Sequence, residues 1–319
     1  MSIDFEKYMQ MARVEDAFAE STSPIRSAET YRKDILGLYA SGYKRGLSTG
    51  WRSMDEYFTV RHGEMTVITG IPGHGKSSWL DNVMISLSRR EHWKWAVFSA
   101  ENFPVARHIA GLAEIYTGLP FGKGPSTRMT PADLDLSIKW IDEHFSFIPP
   151  GDNMSLNRII EIAADSDTLD ALVIDPWNEL DHARPEMLRE DQYISIALSK
   201  LRWLARNADI HIFVVAHPAK YIRQNGQPKP IITLNEVKGA SEWFAKADNG
   251  LSVWRDETDT TGATDVHIQK IRFREVGRAG GAVRLYYDRV SGRYTDPNHK
   301  PTIDDYLSRI EREPGDELF

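Results

Sequence analysis

The chain has no cysteine among its 319 residues. That excludes a disulfide framework and any cysteine-rich zinc site. No apolar run approaches the roughly 18 residues of a membrane span. The opening Met1-Ser2-Ile3-Asp4-Phe5-Glu6 lacks the basic and apolar blocks of a signal peptide. A soluble, cytoplasmic protein with no membrane partner is therefore expected. Positive charge is also in deficit. The formal net charge is −7, so any nucleic-acid contact must come from a local basic surface. There is no internal repeat.

Against these absences stands one complete motif. Residues 70–77 read Gly70-Ile71-Pro72-Gly73-His74-Gly75-Lys76-Ser77, a phosphate-binding loop of the form G-x-x-x-x-G-K-[ST]. Glycines at 70, 73 and 75 let backbone N–H groups close in on phosphates. Lys76 is expected to reach the β- and γ-phosphates of ATP or another NTP. Ser77, with Ser78 beside it, lines the nucleotide, and the Ser77 hydroxyl helps hold Mg²⁺. The loop follows a buried-strand pattern at 64–69 and precedes a helix at 77–90 whose N-terminus faces the anion. His74 occupies a free position and reads as a loop residue.

Three segments are visible. Residues 1–48 are polar, with helices expected at about 4–20 and 27–41. The second helix carries Tyr31, Ile35, Leu36, Leu38 and Tyr39 on one side, as a docking helix would. Residues 49–298 alternate strands and helices, the pattern of an α/β domain with a mainly parallel central sheet. Buried strands are expected at 64–69, 94–99, 170–175 and 210–216. Helices are expected at 77–90, 104–117, 131–145, 155–165 and 190–208. Further strands follow at about 249–255, 264–273 and 282–288. Residues 299–319 form a polar, acidic tail ending in Phe319, which can dock another protein or simply fray.

Three of the strands end in chemistry. The strand 170–175 delivers Asp175 to its C-terminal edge, where open α/β sheets bind ligands; the expected role is Mg²⁺ coordination. The strand 94–99 leads to Glu101, which can supply the base or water-orienting group that hydrolysis needs. The bland alternative is a helix-start acid before Pro104. The strand 210–216 ends at His217, either a γ-phosphate contact or a hydrogen-bonded strand end. Beyond it runs a long basic loop. Its Lys220, Arg223 and Lys229, with the later Lys238, can follow a phosphate backbone or be plain solvated cations. Strand alternation over 266–274 puts Lys270, Arg272 and Arg274 on one face, which calls for an opposing anion. Acidic side chains or a neighbour's nucleotide, with Arg272 as an arginine finger, both satisfy that need.

Together these motifs resemble the hexameric replicative helicases of the DnaB type, nearest the phage primase–helicase and mitochondrial Twinkle branch. The resemblance runs over about 44–290. It rests on Thr49-Gly50-Trp51 leading into Met54-Asp55, on Phe98-Ser99-Ala100-Glu101-Asn102, on Val215-Ala216-His217-Pro218, on Lys238-Gly239-Ala240 with Ala247-Asp248, on Lys270-Ile271-Arg272, and on Tyr287-Asp288. It implies a RecA-like P-loop NTPase core behind an N-terminal helical linker. It gives Glu101 the catalytic role, His217 that of γ-phosphate sensor, and Lys238 and Gly239 a DNA-facing role. Lys270 and Arg272 would reach a neighbour's nucleotide, and Tyr287 would stack beside the base. Single-stranded DNA, a homo-oligomeric ring (a hexamer, as the resemblance implies) and a polymerase, primase or single-strand-binding protein at the tail are the implied partners. A bacterial or phage-infected cell is the implied setting. Translocation 5′→3′ with duplex unwinding is the implied activity. A RecA-like recombinase, or a DNA-binding ATPase or loader without unwinding, is the competing reading.

Overall fold

The computed structural model describes residues 25–151, 154–166, 168–182, 184–219 and 229–298. The expected helix at 4–20, Lys220, Arg223 and the tail 299–319 lie outside them. The chain divides into two compact units, residues 1–44 and 45–319. In the first, a 3₁₀ turn, Ala28–Tyr31, leads into helix α1, Arg32–Ser41. No residue of α1 is buried, and Tyr31, Ile35, Leu36, Leu38 and Tyr39 are all exposed.

The second unit is built on a nine-stranded sheet of order β3-β2-β4-β5-β1-β6-β7-β8-β9. The strands are β1 Met65–Thr69, β2 Trp95–Ser99, β3 Phe145–Ile148, β4 Ala171–Asp175, β5 His211–Val215, β6 Asn249–Trp254, β7 Ala263–Ile271, β8 Gly281–Tyr287 and β9 Tyr294–Thr295. Strands β1 to β6 pair in parallel, and β6 to β9 continue the sheet antiparallel. The helices are α2 Arg52–Asp55, α3 Lys76–Glu91, α4 Val105–Thr117, α5 Pro131–His144, α6 Leu156–Ala164, α7 Glu190–Asn207 and α8 Ala240–Lys246.

The parallel strands are covered on both faces, which is why they read as continuous apolar runs. Their side chains still alternate. Ile68, Val97, Val173, Phe213 and Val215 pack toward Leu80 and Val83 of α3, Leu112 of α4 and Ile141 of α5. Val67, Phe98, Leu172, Ile174, Ile212 and Val214 pack toward Ile159 of α6, Leu198 and Leu201 of α7, and Trp243 of α8. Local signals set the helix starts. Thr130 caps α5 in a reciprocal pair with Asp133, with Pro131 in the first turn. Ser155 caps α6.

The structure corrects two sequence expectations and adds a helix. The helix expected to reach residue 145 stops at His144, and Phe145–Ile148 becomes the edge strand β3 beside β2. The helix running straight into it masks its short alternation. The strand expected to reach 273 ends at Ile271, so Arg272 and Arg274 lie beyond the pleat. Helix α8 follows Gly239, whose φ of 79° breaks the chain's direction; a helix this short shows too little period to read.

Phe213 lies wholly buried in β5, on the face covered by α3, α4 and α5. Phe213→Ala is expected to cost about 3–5 kcal/mol of unfolding free energy, measured by urea titration. A loss below about 1 kcal/mol would show that this face is not tightly packed.

Candidate active site

Four parallel strands, β2, β4, β5 and β1, end side by side along one edge of the sheet. From β1 the chain turns directly into residues 70–77. Gly70 has φ 138°, and a Cβ there would lie 2.3 Å from the Val253 carbonyl oxygen. Gly75 has φ 92°, and its Cβ would meet the Tyr294 hydroxyl at 2.5 Å. Both positions thus exclude side chains on the protein's own side, before any phosphate is considered. Gly73 shares the left-handed conformation. The loop then opens α3, so its N–H groups and helix start face the same point.

Lys76 is buried, and its ammonium donates to the carbonyls of Gly70 (3.0 Å) and Ile71 (3.2 Å). Burial lowers its pKa, against the opposing pull of Asp175 and Glu101. Asp175 ends β4, is only 3% exposed, and is bonded by the Ser77 hydroxyl. Burial, with Asp81 and Glu101 nearby, pushes it up to about 6. Its Oδ1 is buried without a hydrogen-bond partner. A buried carboxylate with a free oxygen beside a hydroxyl fits a hard cation that arrives with phosphates and keeps most of its waters. The Ser77–Asp175 pair therefore fits magnesium. Among the described residues, no group of three or more His, Asp or Glu side chains could cage a metal without a ligand's help.

Glu101 is half exposed beyond β2, and its Oε1 lies 3.5 Å from His217 Nε2. Burial and Lys76 lower the pKa of His217, while Glu101 resists. The His217 backbone N–H donates to Asn178 Oδ1 at 2.9 Å, and Pro218 bridges Val237. These contacts tie His217 and Pro218 to the segment after β4 and to the segment before α8. In the first, Trp177 packs edge-on against Trp243 at 5.3 Å. In the second, Lys238 pairs with Glu190 at 2.7 Å, and a Cβ on Gly239 would meet Ile194. Lys229 is drawn into an ion pair with Glu257, and its carbonyl accepts from the Trp254 indole at 2.8 Å.

Tyr287 lies on the other side of the loop, bonded by the Ser78 hydroxyl. The Arg255 guanidinium sits 5.2 Å from its ring centre, and the Arg255 backbone N–H donates to His74 Nδ1 at 3.1 Å. His74 is therefore not a free loop residue. It is buried against β6, and its pKa falls to about 4 through burial and nearby Lys229.

Lys270 and Arg272 are not in this cluster. They stand at the opposite edge, where β6 begins, about 16 Å away along a short strand. The anion facing them belongs to the same chain. Asp248 Oδ1 lies 2.9 Å from Arg272 Nε, and both cations bond to carbonyls ending α8.

Sequence reasoning missed Arg255, the pairing of Asp248 with Arg272 and the buried His108–Asp81 pair at 2.9 Å. Burial alone would lower His108, but Asp81 outweighs it and raises the pKa. Asp81 follows Ser77 by one helical turn on α3, a spacing that places both on one face. Nothing local marked His108 as its partner.

This arrangement can be set beside known proteins. Residues 46–296 match the DnaB-like helicase C terminal domain. The chain belongs to that family. A curated relative is the Twinkle homolog protein, chloroplastic/mitochondrial, of Arabidopsis thaliana, 34% identical over 269 residues. That alignment covers 80% of this chain and 37% of the relative's length, so the chain spans just over a third of it. Among solved structures, an ATPase domain superposes with a TM-score of 0.68 at 16% identity, covering 85% of this chain and 99% of that one. A DnaB-like replicative helicase, solved in a study of its interactions with primase, gives 0.67 at 17%, covering 92% and 71%. The RadB recombinase gives 0.53 at 17%, covering 78% and 99%. These likenesses establish the RecA-like fold that the DnaB-like family shares. The enzymatic class of that family is NTP-driven DNA unwinding. No helix among the described residues is long and apolar enough to cross a membrane.

The buried Asp175 generates a stability prediction. Its folded pKa is raised, so its ionised form burdens the fold above about pH 6. The burden shrinks between about 6 and the ordinary value of 3.8, and vanishes below it. Asp175→Asn is expected to stabilise the ligand-free chain at pH 7 by about 1–3 kcal/mol. The gain should be absent at about pH 3.5. An unchanged or lowered melting temperature at pH 7 would show that the carboxylate is not strained.

Proposed function

We propose that this chain is the motor portion of an NTP-driven DNA helicase. It works as a closed homo-oligomeric ring, hexameric in the leading reading, and moves 5′→3′ on single-stranded DNA while separating the duplex. One observation carries the proposal. The phosphate loop, Glu101, Asp175 and His217 share one sheet edge, while Lys270 and Arg272 occupy the opposite edge of the same chain. A head-to-tail contact between copies brings the two unlike faces together, and repetition of such a contact closes a ring. The exposed apolar residues of α1, within the segment 1–48, support docking on a neighbour.

Each residue then has a role set by its position. Lys76 leaves the carbonyls of Gly70 and Ile71 to face the β- and γ-phosphates of ATP or another NTP. Ser77 and Asp175 hold magnesium, which supplies charge neutralisation at the phosphates. Glu101, freed from His217, accepts a proton from the water attacking the γ-phosphorus. His217 changes its contacts when the γ-phosphate leaves and passes that change to Asn178 and Val237, at the bases of two segments that face DNA, 177–190 and the stretch carrying Lys238 and Gly239. Tyr287 and Arg255 flank the base. Lys238 and Gly239, with Lys220, Arg223 and Lys229, form the path for the DNA backbone. The tail 299–319 docks a polymerase, primase or single-strand-binding protein. A bacterial or phage-infected cytoplasm suits this reading.

The catalytic assignment is tested by two variants. Lys76→Ala is expected to remove nearly all NTP hydrolysis with the fold intact. Glu101→Gln is expected to retain nucleotide binding and hydrolyse about 10²-fold more slowly or worse. Near-normal turnover in either would break the assignment. Imaging with a slowly hydrolysed nucleotide and single-stranded DNA should show rings; continuous filaments would favour a recombinase.

The DNA path is tested by salt. Lys238→Ala is expected to weaken single-stranded binding without sequence preference and to reduce the log–log salt slope by about 0.7. An unchanged slope would leave Lys238 as the surface partner of Glu190.

A further inference from the structure

His74 is held through one ring nitrogen. The Arg255 backbone N–H donates to Nδ1 at 3.1 Å, so Nδ1 offers its lone pair. The ring is neutral, since burial and Lys229 lower its pKa to about 4 while Glu257 opposes them. Its one proton therefore sits on Nε2. Nε2 is buried without a hydrogen-bond partner. His211, also buried, shows what a structural histidine has instead. Its Nδ1 donates to the Arg61 carbonyl at 2.6 Å, and its Nε2 meets the Thr66 hydroxyl at 2.9 Å. A buried donor left unmet is costly. In His74 that donor lies inside the phosphate loop, between Gly73 and Gly75.

The surroundings supply an acceptor. Glu257 acts on His74 electrostatically, and it is paired with Lys229. The Lys229 backbone is pinned separately, because its carbonyl accepts from the Trp254 indole at 2.8 Å. The ammonium can thus change partner while the backbone stays on the end of β6. That same strand end walls the phosphate loop. The Val253 carbonyl stands where a Cβ on Gly70 would be, and the Arg255 N–H holds His74. One short stretch, 253–257, therefore touches both the phosphate loop and Lys229.

We propose that Glu257 is an exchangeable anion that couples DNA to the phosphate loop: single-stranded DNA draws Lys229 away, and Glu257 then accepts from His74 Nε2. The inference rests on the DNA path proposed above, to which Lys229 belongs. A donor satisfied in this way fixes His74, and with it the loop. A nucleotide then meets a loop already ordered and binds more tightly. The reverse holds with equal strength, because coupling between two binding sites is reciprocal. This route differs from the one through His217, which needs a γ-phosphate. It acts through the loop itself, so a nucleoside diphosphate is enough to engage it.

The test is a binding cycle with the full chain, a labelled single-stranded oligonucleotide and the magnesium diphosphate of the nucleotide that the chain hydrolyses. In the unaltered chain the diphosphate is expected to tighten DNA binding about fivefold or more, and DNA to tighten diphosphate binding by the same factor. Glu257 is half exposed, so Glu257→Ala leaves the fold and basal turnover intact. It is expected to bring the factor below about twofold in both directions. His74→Asn keeps an acceptor where Nδ1 lies and removes the Nε2 donor, and it should lower the factor in the same way. The double variant should lose nothing further, because both residues serve one route. If His74→Asn binds no nucleotide, Glu257→Ala decides alone. A factor that persists in Glu257→Ala, or no tightening by diphosphate in the unaltered chain, overturns this inference and leaves the DNA path standing. An unaltered chain that binds no single-stranded DNA overturns the DNA path and this inference with it.

Discussion

The central strand β1 is hydrogen-bonded along both sides, to β5 and to β6, with every residue buried. It has no freedom to bend within the sheet, so its end must leave over the edge. The chain does so through Gly70, pressed against the Val253 carbonyl in a conformation that only glycine adopts easily. From this forced exit follow the loop, the helix start behind it and the position of Lys76. The neighbouring strands β5, β4 and β2 stop at the same level, because parallel pairing keeps their registers aligned. That alignment brings His217, Asp175 and Glu101 to one line beside the loop.

The site is built at some expense of stability. Asp175 is ionisable, nearly inaccessible and beside Asp81 and Glu101. Lys76 is buried on its own loop's carbonyls. A scaffold held by two apolar layers tolerates this strain, and the strain disposes both groups to exchange protein partners for charged ligands. The Glu101–His217 contact belongs to the same logic: each group has a protein partner that a ligand can displace.

The two sheet edges carry different charge patterns. At one edge, carboxylates and a phosphate loop are arranged for a nucleotide and a cation. At the other, Arg202, Arg206 and Arg272 crowd Asp248. Within one chain the strand length keeps them apart. The proposed ring brings the two edges together between copies, and Asn178 and Val237 tie His217 and Pro218 to the segments proposed to face DNA.

Much of this was legible in the sequence. The phosphate loop is fixed by residue type and spacing. The strands ending at Asp175, Glu101 and His217 are unbroken apolar runs, which only a doubly covered parallel sheet explains. The α/β class follows from both. Short elements were not legible: β3 was hidden by the helix before it, and α8 had too few residues to show a period. Pairings distant in sequence were not legible either. Asp248 lies far along the chain from Arg202 and Arg206, and His108 from Asp81, and no local pattern reports which buried charge meets which. Residue chemistry is a property of the chain, so the sequence by itself determined the phosphate loop and the sheet that presents it. Partnership between charges depends on which strand lies beside which, so only the tertiary structure decided that Arg272 faces Asp248, that Arg255 lies over Tyr287, and that the two halves of the site stand at opposite edges.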